Sequence, residues 1–270
     1  MFLRQKKSII AAVQNARPKD KIQNYNKKTY TMKRLFITFV VLFAVCVGAS
    51  AQQTYALITG VSAYQNSDMN LGNTTKDAKD LKNVLDRLGV KSALLTSKYA
   101  NHANIAEKLN KIVSVAKPED KIMFFFSGHG STGVFCTYDD LFPYTELVEI
   151  LSKARAREIY CFVDACMSGS IQDISSQGYD WAQNKNMIFF MGCKPDEFSY
   201  ENAWIGNGFF SKALLKGLRG RGSTNGTITV LSLFDYIYRD VTAHTRNYDQ
   251  VQHPQLIGPS SMHQNVLFSR

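Results

Sequence analysis

Two stretches, Asp120-Lys-Ile-Met-Phe-Phe-Phe-Ser-Gly-His-Gly130 and Glu158-Ile-Tyr-Cys-Phe-Val-Asp-Ala-Cys-Met-Ser-Gly169, are built alike. Each is a short apolar run that stops at small residues surrounding one reactive side chain, His129 in the first and Cys166 in the second. The runs are too short for a buried helix and lack polar/apolar alternation. Strands covered on both faces of a parallel sheet read this way.

Outward from these two runs, strand-like and helix-like segments alternate. Tyr55 to Val61 and Lys91 to Thr96 read as strands before the first run, and Met187 to Met191 as a strand after the second. Between them, Ala78, Leu81, Leu85 and Leu88 recur at helical spacing over Thr74 to Leu88, with Gly89 as the stop. Ile105, Leu109, Ile112 and Val113 mark a helix over Asn104 to Val115. Thr145 to Ala154, Gly208 to Leu218 and Thr229 to His244 complete the helices, and Gly220 to Gly226 reads as a loop. The alternation predicts an α/β fold, a three-layer α/β/α sandwich with a mostly parallel central sheet.

The first fifty residues fit no such pattern. Met32-Lys33-Arg34 is a basic start, Leu35 to Val47 is almost wholly apolar, and Gly48-Ala49-Ser50-Ala51 offers a cleavage site. Residues 32–51 therefore read as a signal peptide. The apolar run is shorter than the roughly 20 residues of a membrane span. Residues 1–31 are expected to lie outside the mature protein, with Met32 the true start. The expected mature chain is 52–270, one domain, secreted or periplasmic, with no stable membrane span after cleavage. The leader also carries the charge. Residues 1–51 hold ten Lys and Arg against one acid, Asp20, leaving 22 basic and 21 acidic residues beyond them. A net of +10 for the whole chain thus gives no reason to expect nucleic acid as a partner. Of the four cysteines beyond the leader, Cys161 sits in an apolar run and reads as a buried small hydrophobe. Few or no disulfides are expected.

If the two central strands are neighbours, His129 and Cys166 meet on one edge of the sheet, where open α/β sheets bind ligands. A free thiol ionises near pH ~8.5. An adjacent imidazole that takes its proton makes it a nucleophile. The flanking glycines let backbone N–H groups approach a substrate carbonyl, and oxyanion donors of this kind are worth about 3–4 kcal/mol each.

These residues resemble those of the caspase-like peptidases, and especially the metacaspases and their bacterial relatives. Ser127-Gly128-His129-Gly130 is similar to the family's histidine motif and Asp164-Ala165-Cys166-Met167-Ser168-Gly169 to its cysteine motif. Tyr55 to Val61, Leu71 to Asp77, Gly192 to Glu201 and Gly206 to Leu215 resemble further family segments. The resemblance implies that His129 is the general base and Cys166 the nucleophile. It implies an oxyanion hole from the N–H groups of Gly130 and Cys166, and hydrolysis of peptide bonds through a thioester. It places Asp77, Ser127 and Asp164 at the pocket for the residue before the cut, with Asp196 a further contributor. Carboxylates there favour a cationic side chain, so cleavage after Arg or Lys of protein or peptide substrates is expected. No cofactor is required on this reading. Calcium is a candidate activator, since some metacaspases bind it and Asp139, Asp140 and Asp173 fall at similar positions. Lys185 is a candidate self-cleavage point. Two departures from the family pattern are Met167, where His or Arg often follows the nucleophile, and a short interval between His129 and Cys166. The alternative reading is a catalytically silent caspase-like scaffold that binds peptides; a hydrolase acting on another acyl group is a further rival.

Overall fold

Strands β3 (Lys121–Ser127) and β7 (Glu158–Asp164) are hydrogen-bonded, parallel neighbours at the centre of a six-stranded sheet. Every residue of β3 is buried, and alternate side chains leave opposite faces. Ile122, Phe124 and Phe126 enter one core while Met123 and Phe125 enter the other. Two apolar environments explain why the run shows no alternation. The computed structural model describes residues 52–177, 186–202, 206–248 and 251–269. The leader reading of residues 1–51 and the position Lys185 lie outside them.

Around this centre stand β1 (Thr54–Gly60), β2 (Lys91–Thr96), β8 (Met187–Met191) and β12 (Gln255–Ile257), in the order β12-β8-β7-β3-β1-β2. All pairings are parallel except β12 on β8, which is antiparallel. Helices α2 (His102–Val115) and α3 (Tyr144–Ser152) pack their apolar stripes on one face with Leu57, Phe124 and Cys161. Helices α1 (Thr74–Arg87), α4 (Phe209–Lys216) and α5 (Val230–Arg246) cover the other with Ile58, Phe125 and Phe162. The three-layer sandwich is thus as expected. Phe162 stacks on Phe190 across β7 and β8 with ring centroids 4.6 Å apart.

Small ribbons complete the fold. A three-stranded sheet of β4 (Gly130–Ser131), β5 (Val134–Cys136) and β6 (Leu141–Pro143) follows the histidine turn. Short pairs join β9 (Glu201–Asn202) to β10 (Asn207–Gly208) and β11 (Thr227–Thr229) to β13 (Val266–Ser269). The helix expected to end at Leu218 instead passes into a π-helical turn, Gly217–Arg221, with Gly220 at φ 118°. Among the described residues no helix is long and apolar enough to cross a membrane. Cys136, Cys161, Cys166 and Cys193 are free thiols, and Cys161 is fully buried.

Candidate active site

The parallel register aligns Gly60, Ser127 and Asp164 in one row at the carboxyl ends of β1, β3 and β7. His129 and Cys166 each lie two residues beyond that row, on adjacent strands. The equal offset brings imidazole and thiol to a single cavity of about 90 Å³, lined also by Leu71, Thr74, Asp77, Ser199 and Glu201.

His129 is held on three sides. Its backbone N–H donates to the Tyr64 hydroxyl at 2.7 Å, and the two rings lie 5.1 Å apart. Its Nε2 is 2.8 Å from the Met69 carbonyl oxygen. A carbonyl only accepts, so Nε2 carries a hydrogen, and in the neutral ring the lone pair is on Nδ1. The ring is therefore fixed as a base at Nδ1. Gly130 comes next, where a Cβ would lie 2.8 Å from the Cys166 carbonyl oxygen and 2.9 Å from Ala165 Cβ. Only glycine allows the histidine turn to press this closely on the cysteine turn.

Cys166 is half-buried, and its thiol donates to the Ser199 carbonyl at 3.7 Å. Met167 follows at φ 55°, a left-handed conformation that turns the chain away from the sulfur, and its N–H is held by the Glu197 carbonyl. Buried Cys193 braces the same turn, with its N–H on Ser168 Oγ and its thiol toward the Ala165 and Glu197 carbonyls. Burial pushes the Cys166 thiol up, the Ser199 contact offsets part of this, and the charges of Asp164 and Glu201 push it further up.

Two carboxylates are buried beneath the sulfur and the ring. Asp77 is 1% exposed and accepts from Ser127 Oγ at 2.9 Å and Asn207 Nδ2 at 2.7 Å. Asp164 accepts from the Ser211 N–H at 2.9 Å, from the Ser211 hydroxyl at 2.7 Å and from the Ser199 hydroxyl. A Cβ at Gly208 would collide with the Asp164 carboxylate. Burial raises Asp77 well above the usual carboxylate range, and the neighbouring Asp164 adds to the rise. Asp164 is raised by burial as well, against its serine hydrogen bonds. Glu201 completes the set. Its Oε2 accepts from the Asn73 N–H at 3.2 Å, and its Oε1 is buried without a hydrogen-bond partner among the described residues.

Asp77, Ser127, Asp164, His129 and Cys166 are thus brought together as the sequence suggested. Asp196 is not: it is exposed on a turn after β8 and does not line the cavity, where Glu201 stands instead. The aspartates considered for calcium are also not gathered. Asp139 accepts from the His102 N–H and Thr137 Oγ1, and Asp140 accepts from the Leu141 N–H, so both tie the β5–β6 turn and the start of α2. Asp173 lies apart in sequence, on the 3₁₀ stretch Ser168–Gln177. Among the described residues no group of three or more His, Cys, Asp or Glu is arranged to hold a metal ion. Glu201, Ser199 and Tyr64 escaped the sequence reading as site residues. Glu201 and Ser199 fall in the family-like stretch Gly192 to Glu201, the signal that could have found them.

The family model for the caspase domain matches residues 53–264, most of the chain. The protein belongs to the caspase-domain family of cysteine peptidases. Metacaspase-2 of Arabidopsis thaliana is 24% identical to it over 244 residues, covering 68% of this chain and 58% of that protein. The chain therefore spans less than two thirds of the length of that relative. Among solved structures, caspase-1 from Spodoptera frugiperda aligns with a TM-score of 0.62 at 17% identity, covering 80% of this chain and 88% of that one. A Geobacter sulfurreducens protein aligns with a TM-score of 0.60 at 19% identity, covering 80% and 98%. These structural likenesses show that the caspase domain here has the family's fold.

Proposed function

We propose that this caspase domain is an exported cysteine endopeptidase that cuts peptide bonds after Arg or Lys, with Cys166 as nucleophile and His129 as its base. The observation that carries the reading is the shared cavity: thiol, imidazole and three carboxylates line one space at the carboxyl ends of adjacent parallel strands. The buried acids favour a cationic side chain over an anionic one, because an incoming guanidinium or ammonium compensates their desolvation.

In this mechanism Cys166 Sγ gives its proton to His129 Nδ1 and attacks the carbonyl carbon after the basic residue. The N–H groups of Gly130 and Cys166 hold the developing oxyanion. The tetrahedral intermediate collapses to a thioester as His129 hands its proton to the departing amine. Water, deprotonated by the same imidazole, then releases the acid. The Met69 carbonyl keeps Nε2 protonated throughout, so the imidazolium that forms is oriented and stabilised.

A panel of arginyl, lysyl and aspartyl peptides and simple esters tests this. The arginyl and lysyl peptides should be cut, Cys166→Ala should abolish the cutting, and an arginine-based acylating probe should label Cys166. Hydrolysis of the aspartyl peptide, or of esters alone, overturns the reading. Failure of the probe to label favours the silent scaffold. Export rests on residues 32–51, and amino-terminal sequencing of secreted material beginning at Gln52 is the expected result.

A further inference from the structure

The acids of the cavity act on the nucleophile as well as on a substrate side chain. Ser199 links the two directly: its hydroxyl donates to Asp164 while its carbonyl accepts the Cys166 thiol. Glu201 closes the same cavity from β9, and Asp77 sits beside Asp164 from α1. The other ionisable groups around the sulfur are His129, the thiols of Cys136 and Cys193, and Tyr144.

We propose that binding of a cation in the acid pocket and ionisation of Cys166 are linked, so that a basic side chain in the pocket raises the thiolate fraction at Sγ, the thiol proton leaving to solvent or to His129 Nδ1. The proposal rests on the pocket accepting a cation, as argued above. The physical ground is Coulombic. Asp164 and Glu201 disfavour a thiolate nearby, and a positive charge placed between carboxylates and sulfur reverses the sign of that field. Across a partly buried cavity, one unit charge changes a neighbour's ionisation by about tenfold. Linkage is reciprocal: whatever the cation does to the thiolate, the thiolate does to cation affinity. Specificity would then appear in the chemical step as well as in binding, since a substrate lacking the positive charge leaves the nucleophile in its less reactive form.

The test uses the full chain and n-butylguanidinium, a cation too small to be a substrate, with the isosteric neutral n-butylurea as control. Alkylation of Cys166 by iodoacetamide is followed by peptide mapping at pH 7, and ligand binding is measured by calorimetry on the same samples. A tenfold gain in thiolate, offset by the lower nucleophilicity of a more acidic thiol, predicts about a three- to fourfold faster alkylation. The pH midpoint of alkylation should fall with butylguanidinium and stay fixed with butylurea. Glu201→Gln, which keeps an acceptor for the Asn73 N–H, should reduce the acceleration. The affinity gain of butylguanidinium between pH 6 and 9 should be smaller in Cys166→Ala. Binding with unchanged or slowed alkylation overturns the linkage and leaves the cation pocket standing. Absence of butylguanidinium binding overturns both.

Discussion

Tyr64 is held between functions: its hydroxyl takes the amide hydrogen of His129 while its ring lies against the imidazole. Burial raises that hydroxyl far beyond the usual phenol range, so it stays protonated and neutral at any working pH. Tyr64→Phe removes one hydrogen bond worth about 1 kcal/mol and keeps the ring. The expected outcome is a three- to tenfold lower kcat on arginyl peptides with little change in KM, read by steady-state kinetics. His129 and Cys166 were legible in the sequence because each follows an apolar run and sits among small residues. Tyr64 and the Met69 carbonyl were not. A lone hydroxyl 65 residues from its partner leaves no periodic trace, and a backbone carbonyl has no residue identity to read. Asp196 misled for a related reason: an acid in the right stretch says nothing about which way its turn faces, and Glu201, five residues on, is the one that lines the cavity.

At the scale of the element, the sheet and its helices follow from patterns strong enough to override local detail. The central strands β3, β7 and β8 carry runs of Val, Ile, Phe and Met, while β1 and β2 carry shorter apolar stretches built on Leu, and every expected helix shows a three- and four-residue apolar spacing. Phe124, wholly buried in β3, is predicted to cost about 3–5 kcal/mol when changed to Ala, measured by denaturant unfolding. Helix α5 begins with a reciprocal cap in which Thr229 Oγ1 accepts from the Ser232 N–H and Ser232 Oγ accepts from the Thr229 N–H. Thr229→Ala should lower stability by about 1 kcal/mol and leave peptide hydrolysis unchanged, because neither Thr229 nor Ser232 lines the cavity. The β4–β6 sheet and the antiparallel β12 were not legible. Strands of two or three residues are below the length at which alternation can be recognised, and Gly130 serves the turn as much as the strand.

For the whole molecule, burying Asp77 and Asp164 together sets a cost that grows with pH. Both carboxyls are raised above their unfolded range. Below about pH 3 the two carboxyls are protonated in folded and unfolded chains alike, and the pair adds no pH-dependent cost. As pH rises, the unfolded chain releases these protons first, so stability falls until the folded pair ionises too. Asp77→Asn should flatten that decline: its melting temperature relative to the parent should climb between pH 4 and 7, followed by calorimetry, while cleavage after Arg or Lys is lost. Another consequence lies in the order of the chain. Gln252 clasps the Gly192 carbonyl, the Ser199 hydroxyl and the Tyr200 N–H, and His253 clasps Glu197, so the strap beside the sulfur is buckled by residues 52 to 60 positions after the ones they hold. During synthesis Cys166 therefore emerges 86 residues ahead of Gln252, and the wall of the cleft at Ser199 cannot be fastened until Gln252 and His253 have followed it.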